Sequence, residues 1–299
     1  MKVTHFLFVL LGVIWGSNFI LMKMAASYIT PLQVVFVRVV SGLLPIMLYA
    51  FYKKQLRLEH IRYLHCFFVM SILATSLYFY GFVKGTELLN SGVAGGVSGS
   101  IPLFSFIAAA IFLKDEKVGL VKLSACLLAL IGIVLIAKPF SGKVDNNLLH
   151  GIIFMALGSL SLGLSFVYAK KFVTPLSIGN TALVTYQLTI AAIILCFLTD
   201  FSGITNIQNN HSVLMGTVVG LGIIGTGMAY VIYYYIVDGL GAVTASTVTY
   251  LPPIVALIIG VLIVGEEIVA SDYVGTLFIF LGIFVLNREK YTQSFHQRH

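Results

Sequence analysis

The sequence has few charged residues, few cysteines and a single tryptophan. Only 10% of its residues are charged and the mean hydropathy is +1.01, whereas about a quarter of the residues of a soluble domain are charged. This composition excludes an ordinary soluble domain. The three cysteines, Cys66, Cys126 and Cys196, lie far apart in apolar sequence. We therefore expect buried thiols packed as small hydrophobic groups, rather than a metal or redox site.

Acidic residues are missing from the middle of every apolar segment. This disfavours a proton relay through a central carboxylate, although histidines or a proton carried by a ligand stay open. The seven histidines show no metal-ligand spacing within a helix, and no phosphate-binding Walker loop is present. We expect no metal, no cofactor and no direct use of ATP. An intramembrane enzyme would need a cluster of His, Asp or Glu, so the sequence predicts no enzyme.

Long apolar segments make up most of the chain. A bilayer core needs roughly 20 apolar residues per helix, and these segments are apolar on every face, unlike the strands of a membrane barrel. The sequence predicts an all-α polytopic membrane protein with ten transmembrane helices. They are expected at residues 6–22, 32–52, 63–83, 91–113, 118–137, 148–169, 181–199, 212–237, 240–265 and 273–287.

The net charge of +7 is distributed unevenly between alternate loops. With a cytoplasmic N-terminus, twelve basic residues fall inside and only four outside, a clear positive-inside bias that places both termini in the cytoplasm. Because these charges are spread over short loops, we expect no nucleic-acid partner. The outer set is Lys23, Lys84, Lys138 and Lys143, of which Lys23 and Lys84 are interpreted as interfacial anchors.

The sequence is internally repeated. Residues 94–118 match residues 245–269 without gaps, 151 positions later, so that Pro102 matches Pro253 and Glu116 matches Glu267. A weaker, gapped match at 147 positions aligns Gly16 with Gly163 and Lys23 with Lys170. We predict a first five-helix repeat over residues 1–138, a loop over 139–147, a second repeat over 148–288 and a cytoplasmic tail over 289–299. Because five is odd, the repeats must be inverted, an architecture that recurs in secondary transporters.

Several short motifs carry a family resemblance in their order along the chain. They are Trp15-Gly16-Ser17-Asn18-Phe19, Arg38, Pro102 followed by Asp115-Glu116, and Pro253 followed by Glu266-Glu267. In this order and with this duplication, the chain resembles the EamA-type branch of the drug/metabolite transporter superfamily. The resemblance implies a ten-helix protein that moves small metabolites across the inner or plasma membrane, often outward. It implies no particular substrate.

Arg38 is the most informative charge because it lies within a predicted helix. It follows Pro31 by seven residues, roughly 10 Å along a helix, where an arginine costs at least about 2.5 kcal/mol on insertion scales. Two interpretations stay open. The guanidinium either holds an anionic group of a substrate in a wet cavity, or it reaches an interface or neighbouring backbone carbonyls.

Further candidates combine polar or aromatic chemistry with positions inside predicted helices. The predicted substrate-binding residues are Trp15, Asn18, Arg38, Tyr78, Ser98, Gln187, Tyr230 and Tyr250. Helix packing or interfacial belts explain such residues equally well. Prolines in the repeated segment free a backbone carbonyl one turn earlier, which predicts hinges at Pro102, Pro252 and Pro253.

Together these features predict a multi-pass secondary transporter of the cell membrane. The expected cargo is a small organic metabolite such as an amino acid or a related compound, exported by alternating access. The expected partners are that small-molecule substrate and the lipid bilayer, and the oligomeric state is left open. The alternatives are efflux of many drugs or cationic compounds, and a passive channel or facilitator.

Overall fold

A computed structural model describes residues 2–113, 119–137, 146–240, 245 and 247–296. These residues form helices joined by short connections, with no strand among them, which confirms the predicted all-helical fold for the described ranges. We label the helical segments α1 to α10. They are Lys2–Ala26, Pro31–Tyr52, Leu58–Leu88, Ser91–Phe112, Leu120–Ala137, Asn146–Leu176, Asn180–Leu198, His211–Leu240, Thr247–Leu262 and Ala270–His296.

Seven of these segments, α1 to α4 and α6 to α8, are long and apolar enough to cross a membrane. Shorter apolar helices lie within α5, α9 and α10 among the described residues. Many outward-facing side chains are large and apolar, including Leu120 (85% exposed) and Phe197 (86% exposed), as a lipid-facing surface requires. The chain is therefore a polytopic membrane protein, whereas a count of ten spans stays a prediction.

The start of α2 shows how the sequence sets a helix boundary. Thr30 accepts a hydrogen bond from the backbone N–H of Gln33, and the Gln33 side chain accepts one from the N–H of Thr30. This capping box, with Pro31 in the first helical position, fixes the first turn. The Gln33 amide also donates to the carbonyls of Asp200 and Ser202. It thereby ties α2 to the connection that follows α7.

Several helices depart from regular α geometry near the centre of the bundle. Residues 72–76 of α3, 169–173 of α6 and 216–228 of α8 are π-helical, a conformation that often occurs at functional sites. The helix α4 is interrupted at residues 99–100, and α9 begins with a 3₁₀ turn at residues 247–250.

The structure places two of the prolines at the start of helical pieces. Pro102 and Pro252 lie in the first turn of new helical pieces that start at Ile101 and Leu251. They do not interrupt a continuous helix, because the first turn of a helix has no N–H bond for a proline to break. A hinge at Pro102, Pro252 or Pro253 stays a prediction.

Two matching close contacts join the first half of the chain to the second. A methyl group on Gly16 of α1 would lie 2.5 Å from Val255 Cβ of α9. A Cβ on Gly163 of α6 would lie 2.9 Å from the Phe104 carbonyl carbon of α4. Since Gly163 is the counterpart of Gly16, and Phe104 that of Val255, the same contact is built from both repeats. Small residues let helix backbones approach closely in lipid.

The helices α5 and α10 pack against each other away from the centre. A Cβ on Gly132 would clash with the carbonyl of Gly275, and one on Gly282 would lie 2.5 Å from the carbonyl of Ala125. The structure places Cys66 and Cys126 in the interior, as predicted, but Cys196 is exposed on α7, so the expected burial of that thiol was wrong. An exposed cysteine is compatible with a lipid-facing surface, because its thiol acts as a small apolar group.

Some predicted features lie outside the described residues. These are the acidic pair Asp115-Glu116 with its flanking Lys114 and Lys117, most of the loop at residues 139–147, and the last residues of the tail.

Candidate functional site

A central cavity of about 670 Å³ lies between the helices, within the usual size range of small-molecule sites. Its described walls come from α1 to α4 and α6 to α9, while neither α5 nor α10 contributes a described residue. The walls are mostly aromatic and aliphatic, and the charged residues among the described lining are Arg38 and Lys170.

The structure gathers the residues that the sequence predicted for substrate binding into this one cavity. All eight line it: Trp15, Asn18, Arg38, Tyr78, Ser98, Gln187, Tyr230 and Tyr250. Pro102 and Pro252 line it as well, whereas Pro253 is buried beside Gly95. Contact with a substrate stays a prediction for each of them.

Arg38 is buried in the cavity wall, with only 5% of its surface exposed. Its Nε donates a hydrogen bond to Thr226 Oγ1 at 2.9 Å, and the guanidinium carbon lies 3.9 Å from the centroid of the Phe79 ring. One terminal nitrogen lies 3.5 Å from Met22 Sδ. No carboxylate of the described residues lies within 4 Å of the guanidinium. The side chain therefore neither reaches an interface nor binds neighbouring carbonyls, and its charge has no counter-ion there.

The hydrogen-bond acceptor for Arg38 depends on the π-helical part of α8. Thr226 Oγ1 donates its own proton to the carbonyl of Leu221 at 2.9 Å, which leaves an oxygen lone pair directed to Arg38. The stretch is rich in glycine, and a Cβ on Gly222 would collide with Ser41 of α2. The glycines thus allow α8 to approach α2 closely enough for Thr226 to reach the guanidinium. Sequence reasoning missed Thr226, whose signal is a hydroxyl within a run of glycines.

The polar candidates differ in how fully their hydrogen-bonding groups are used. The Gln187 amide donates to Thr75 Oγ1 at 2.7 Å, and the Ser98 hydroxyl donates to the carbonyl of Gly95 at 2.6 Å. Asn18 donates to the carbonyl of Gly225 at 3.3 Å, but its Oδ1 accepts no hydrogen bond within the described part of the chain. Asn18 is thus the polar wall residue with an unused acceptor.

Aromatic rings form a large part of the wall. Tyr78 packs edge-on against Phe82, with ring centroids 4.6 Å apart. The three successive tyrosines at 233–235 do not all face the cavity, since three successive helical residues cannot share a face. Tyr233 and Tyr234 line the cavity and Tyr235 is 48% exposed. Sequence reasoning missed Tyr234, although its spacing of four from Tyr230 places both rings on one helix face, 6.4 Å apart.

One end of the cavity reaches the ends of several helices. This open end is lined by the last residues of α4 and α8, the π-helical turn of α6 and the first residue of α7: Leu113, Val237, Ala169, Lys170 and Asn180. Lys170 is exposed, with no ion-pair partner among the described residues. A cytoplasmic location of this end, which the positive-inside bias of the sequence predicts, stays a prediction.

The opposite end, which we call the closed end, is crossed by an ion pair. Lys23 Nζ lies 2.9 Å from Glu266 Oε1. Partial burial raises the pKa of Glu266, but hydrogen bonds from the Ser91 N–H, the Lys23 ammonium, the Gly92 N–H and the Ser91 hydroxyl outweigh it, so that the pKa lies below its ordinary value. Lys84 is likewise paired, with Glu87 at 2.5 Å. The predicted interfacial lysines thus each hold a carboxylate, and neither lines the cavity.

Comparison with known proteins agrees with this architecture. The sequence profile of the EamA-like transporter family matches residues 2–138 and 149–288. An uncharacterized transporter of Archaeoglobus fulgidus is 22% identical over 279 residues, which cover 92% of this chain and 95% of that protein. The uncharacterized transporter YoaV of Bacillus subtilis is 24% identical over 283 residues, covering 93% and 96%.

Two further matches concern location and fold. The uncharacterized inner membrane transporter YedA of Escherichia coli is 23% identical over 286 residues, covering 94% of this chain and 89% of that protein. A solved structure titled "Crystal structure of protein" superposes with a TM-score of 0.62 at 18% identity, covering 93% and 94%. That likeness concerns the fold alone.

Proposed function

This chain belongs to the EamA-like transporter family, and from that premise we propose that it is a secondary transporter of small organic metabolites that carry an anionic group. Amino acids and related zwitterions fit this description. Transport proceeds by alternating access, outward across the cell membrane, without ATP and without a catalytic step on the substrate. The protein has ten spanning helices in two inverted repeats, with both termini in the cytoplasm.

The single observation that carries this proposal is the uncompensated charge of Arg38 inside the cavity. A buried guanidinium is costly without a partner, and its contacts with Thr226, Phe79 and Met22 provide no carboxylate among the described residues. A carboxylate suits the planar fork of a guanidinium. The substrate's anionic group would supply the missing counter-charge.

The other wall residues suggest the remainder of the substrate. The rings of Tyr78, Tyr230 and Tyr234 offer an apolar surface with hydroxyl groups at its edge. The free acceptor Oδ1 of Asn18 suits an N–H donor once the cavity wall relaxes around a ligand. An amphipathic zwitterion suits the Arg38 guanidinium, the tyrosine rings and the Asn18 acceptor together.

The alternatives receive less support from the same cavity. A carrier of organic cations would place carboxylates in the wall, whereas the charged residues of the described lining are both basic. A channel would need a path through both ends, whereas the Lys23–Glu266 ion pair crosses one end. The substrate gradient or the membrane potential would drive transport.

Counterflow exchange in proteoliposomes tests the proposal. Purified protein is screened against amino acids, nucleosides, polyamines and cationic drugs, with Lys84→Ala as a control that removes a lysine outside the cavity. We expect saturable, exchange-accelerated flux of a zwitterionic or anionic compound, and a loss of about tenfold or more in Arg38→Ala, the equivalent of losing one charge-assisted hydrogen bond. Arg38→Lys should keep part of the activity because it keeps the charge.

Two results would contradict the proposal. Unsaturable flux without acceleration would indicate a channel. Unchanged transport of zwitterions and anions by Arg38→Ala would show that Arg38 does not bind the substrate.

A further inference from the structure

Three segments meet at the closed end around the carboxylate of Glu266. Its Oε1 accepts hydrogen bonds from Lys23 Nζ of α1 and from the Ser91 N–H, both at 2.9 Å. Its Oε2 accepts from the Ser91 hydroxyl at 2.8 Å and from the Gly92 N–H at 3.2 Å. One side chain that follows α9 thus joins α1 to the first turn of α4.

The backbone around Glu266 is shaped to hold it there. Gly265 has a φ of +72°, a left-handed conformation that glycine adopts without strain, and the N–H of Glu266 donates to the carbonyl of Gly260 at 2.8 Å. A Cβ on Gly260 would lie 2.6 Å from Glu266 Oε2 and 3.2 Å from the Gly92 nitrogen. Any larger residue at 260 would therefore displace the carboxylate.

The charges at this end favour a strong but reversible contact. The Glu266 side chain is 6% exposed and Lys23 is 32% exposed, so that water reaches the lysine. The carboxylate also lies at the N-terminus of α4, where the helix dipole favours a negative charge. Because the pair lies at the ends of helices rather than in mid-membrane, both partners can be hydrated when they separate.

The corresponding lysine of the second repeat lies at the open end of the cavity. Lys170 of α6 is the sequence counterpart of Lys23, yet it is exposed at the cavity mouth and pairs with no carboxylate of the described residues. The counterpart of Glu266 in the first repeat, Asp115, lies outside the described residues, so the two lysines are compared by exposure alone: Lys23 is partly buried and Lys170 is exposed.

We propose that the ion pair of Lys23 with Glu266, seated on the first turn of α4, is a latch that holds the closed end shut while the open end is accessible. The latch must open once in every transport cycle. That the latch opens during transport rests on the proposed function. That it holds the closed end shut can be measured without a substrate.

The test measures access to the cavity from the closed end. Met22 is fully buried, lines the cavity and is adjacent to Lys23, so Met22→Cys, in a chain whose three native cysteines are replaced by alanine, reports access past the latch. A membrane-impermeant maleimide is added on the side where Lys23 lies. Glu266→Gln removes the charge, and Gly260→Ala displaces the carboxylate without changing any charge.

We expect both variants to be labelled at least fivefold faster than the parent. Lys84→Met, which breaks the other ion pair of the described residues, should leave the rate unchanged. Because two chemically different variants are used, misfolding of one, seen as loss of a sharp thermal transition, still leaves the other to decide.

Unchanged labelling in a folded variant would overturn the latch. Counterflow in the same preparations separates the two proposals. Unchanged labelling with intact exchange refutes the latch alone, whereas faster labelling with no exchange of any compound by the protein of unaltered sequence supports the latch and refutes the transporter.

Discussion

The two ends of the cavity are built from related sequence but differ in polarity and closure. At the closed end Lys23 is bound to Glu266. At the open end its counterpart Lys170 is exposed, and the cavity reaches the ends of α4 and α6. The matching lysines of the two repeats therefore lie in different surroundings. That asymmetry is what alternating access requires of inverted repeats.

Between the two ends of the cavity, the two repeats form matching contacts. Gly16 contacts α9 and Gly163 contacts the matching part of α4, so the tight crossings are duplicated even though the ends differ. The crossings of α1 with α9 and of α6 with α4 are thus alike in the two repeats, whereas the two ends of the cavity differ.

The largest expected effect comes from disrupting these crossings. Gly16→Val and Gly163→Val should each destabilise the protein by about 1–3 kcal/mol, because the added side chain meets packed neighbours. Thermal unfolding in detergent measures this, with Val9→Leu on the exposed face of α1 as the control. An effect of only one glycine would contradict the equivalence of the two crossings.

A smaller effect should distinguish the ends. Lys23→Met is expected to lower the free energy of unfolding by about 1 kcal/mol, since it removes a half-buried ion pair. Lys170→Met should change it by less than about 0.5 kcal/mol, as is usual for exposed side chains. Denaturation of the two variants under identical conditions compares them. Equal losses would mean that Lys170 is held as firmly as Lys23.

Acidification should gradually remove the contribution of the Lys23–Glu266 ion pair to the stability of the folded protein. The pKa of Glu266 lies below its ordinary value of 4.5, so the ionised carboxylate stabilises the folded protein above that value, and the stabilisation is lost as the pH falls through the lowered pKa. The difference in thermal midpoint between the parent and Glu266→Gln should therefore be constant from pH 7 to about 5 and shrink below the ordinary pKa. Other acidic residues titrate in both proteins and cancel. A difference in thermal midpoint that persists at the lowest pH would contradict a stabilising role of the ion pair.

The smallest effect concerns the wall between the ends. Tyr234→Phe should alter transport of the identified substrate by no more than about tenfold, the equivalent of one neutral hydrogen bond. Tyr235→Phe, on the exposed neighbouring face, should leave it unchanged. Initial rates of uptake compare the two, and a larger loss in Tyr235→Phe would place the wrong face of α8 in the cavity.

Particular residues show which features could be predicted from the sequence and which could not. Helix identity and the membrane setting follow from apolar length, and Arg38 was identifiable because a charge inside an apolar segment is costly. Thr226 was missed because it lies in a π-helical stretch, which shifts the side chains that face inward. Tyr234 was missed although its spacing of four from Tyr230 places both rings on one face of a regular helix. The pairing of Lys23 with Glu266 joins residues 243 positions apart. Only the packing of α1, α4 and α9 reveals it.

Alternating access is tested most directly by distances measured at both ends of the same molecule. Spin labels at Met24 and Val264 span the closed end, and their sequence counterparts Lys171 and Leu113 span the open end. We predict that the substrate populates a second state in which the distance between 24 and 264 lengthens while the distance between 113 and 171 shortens. Distances that stay fixed, or that change in the same direction at both ends, would contradict the account.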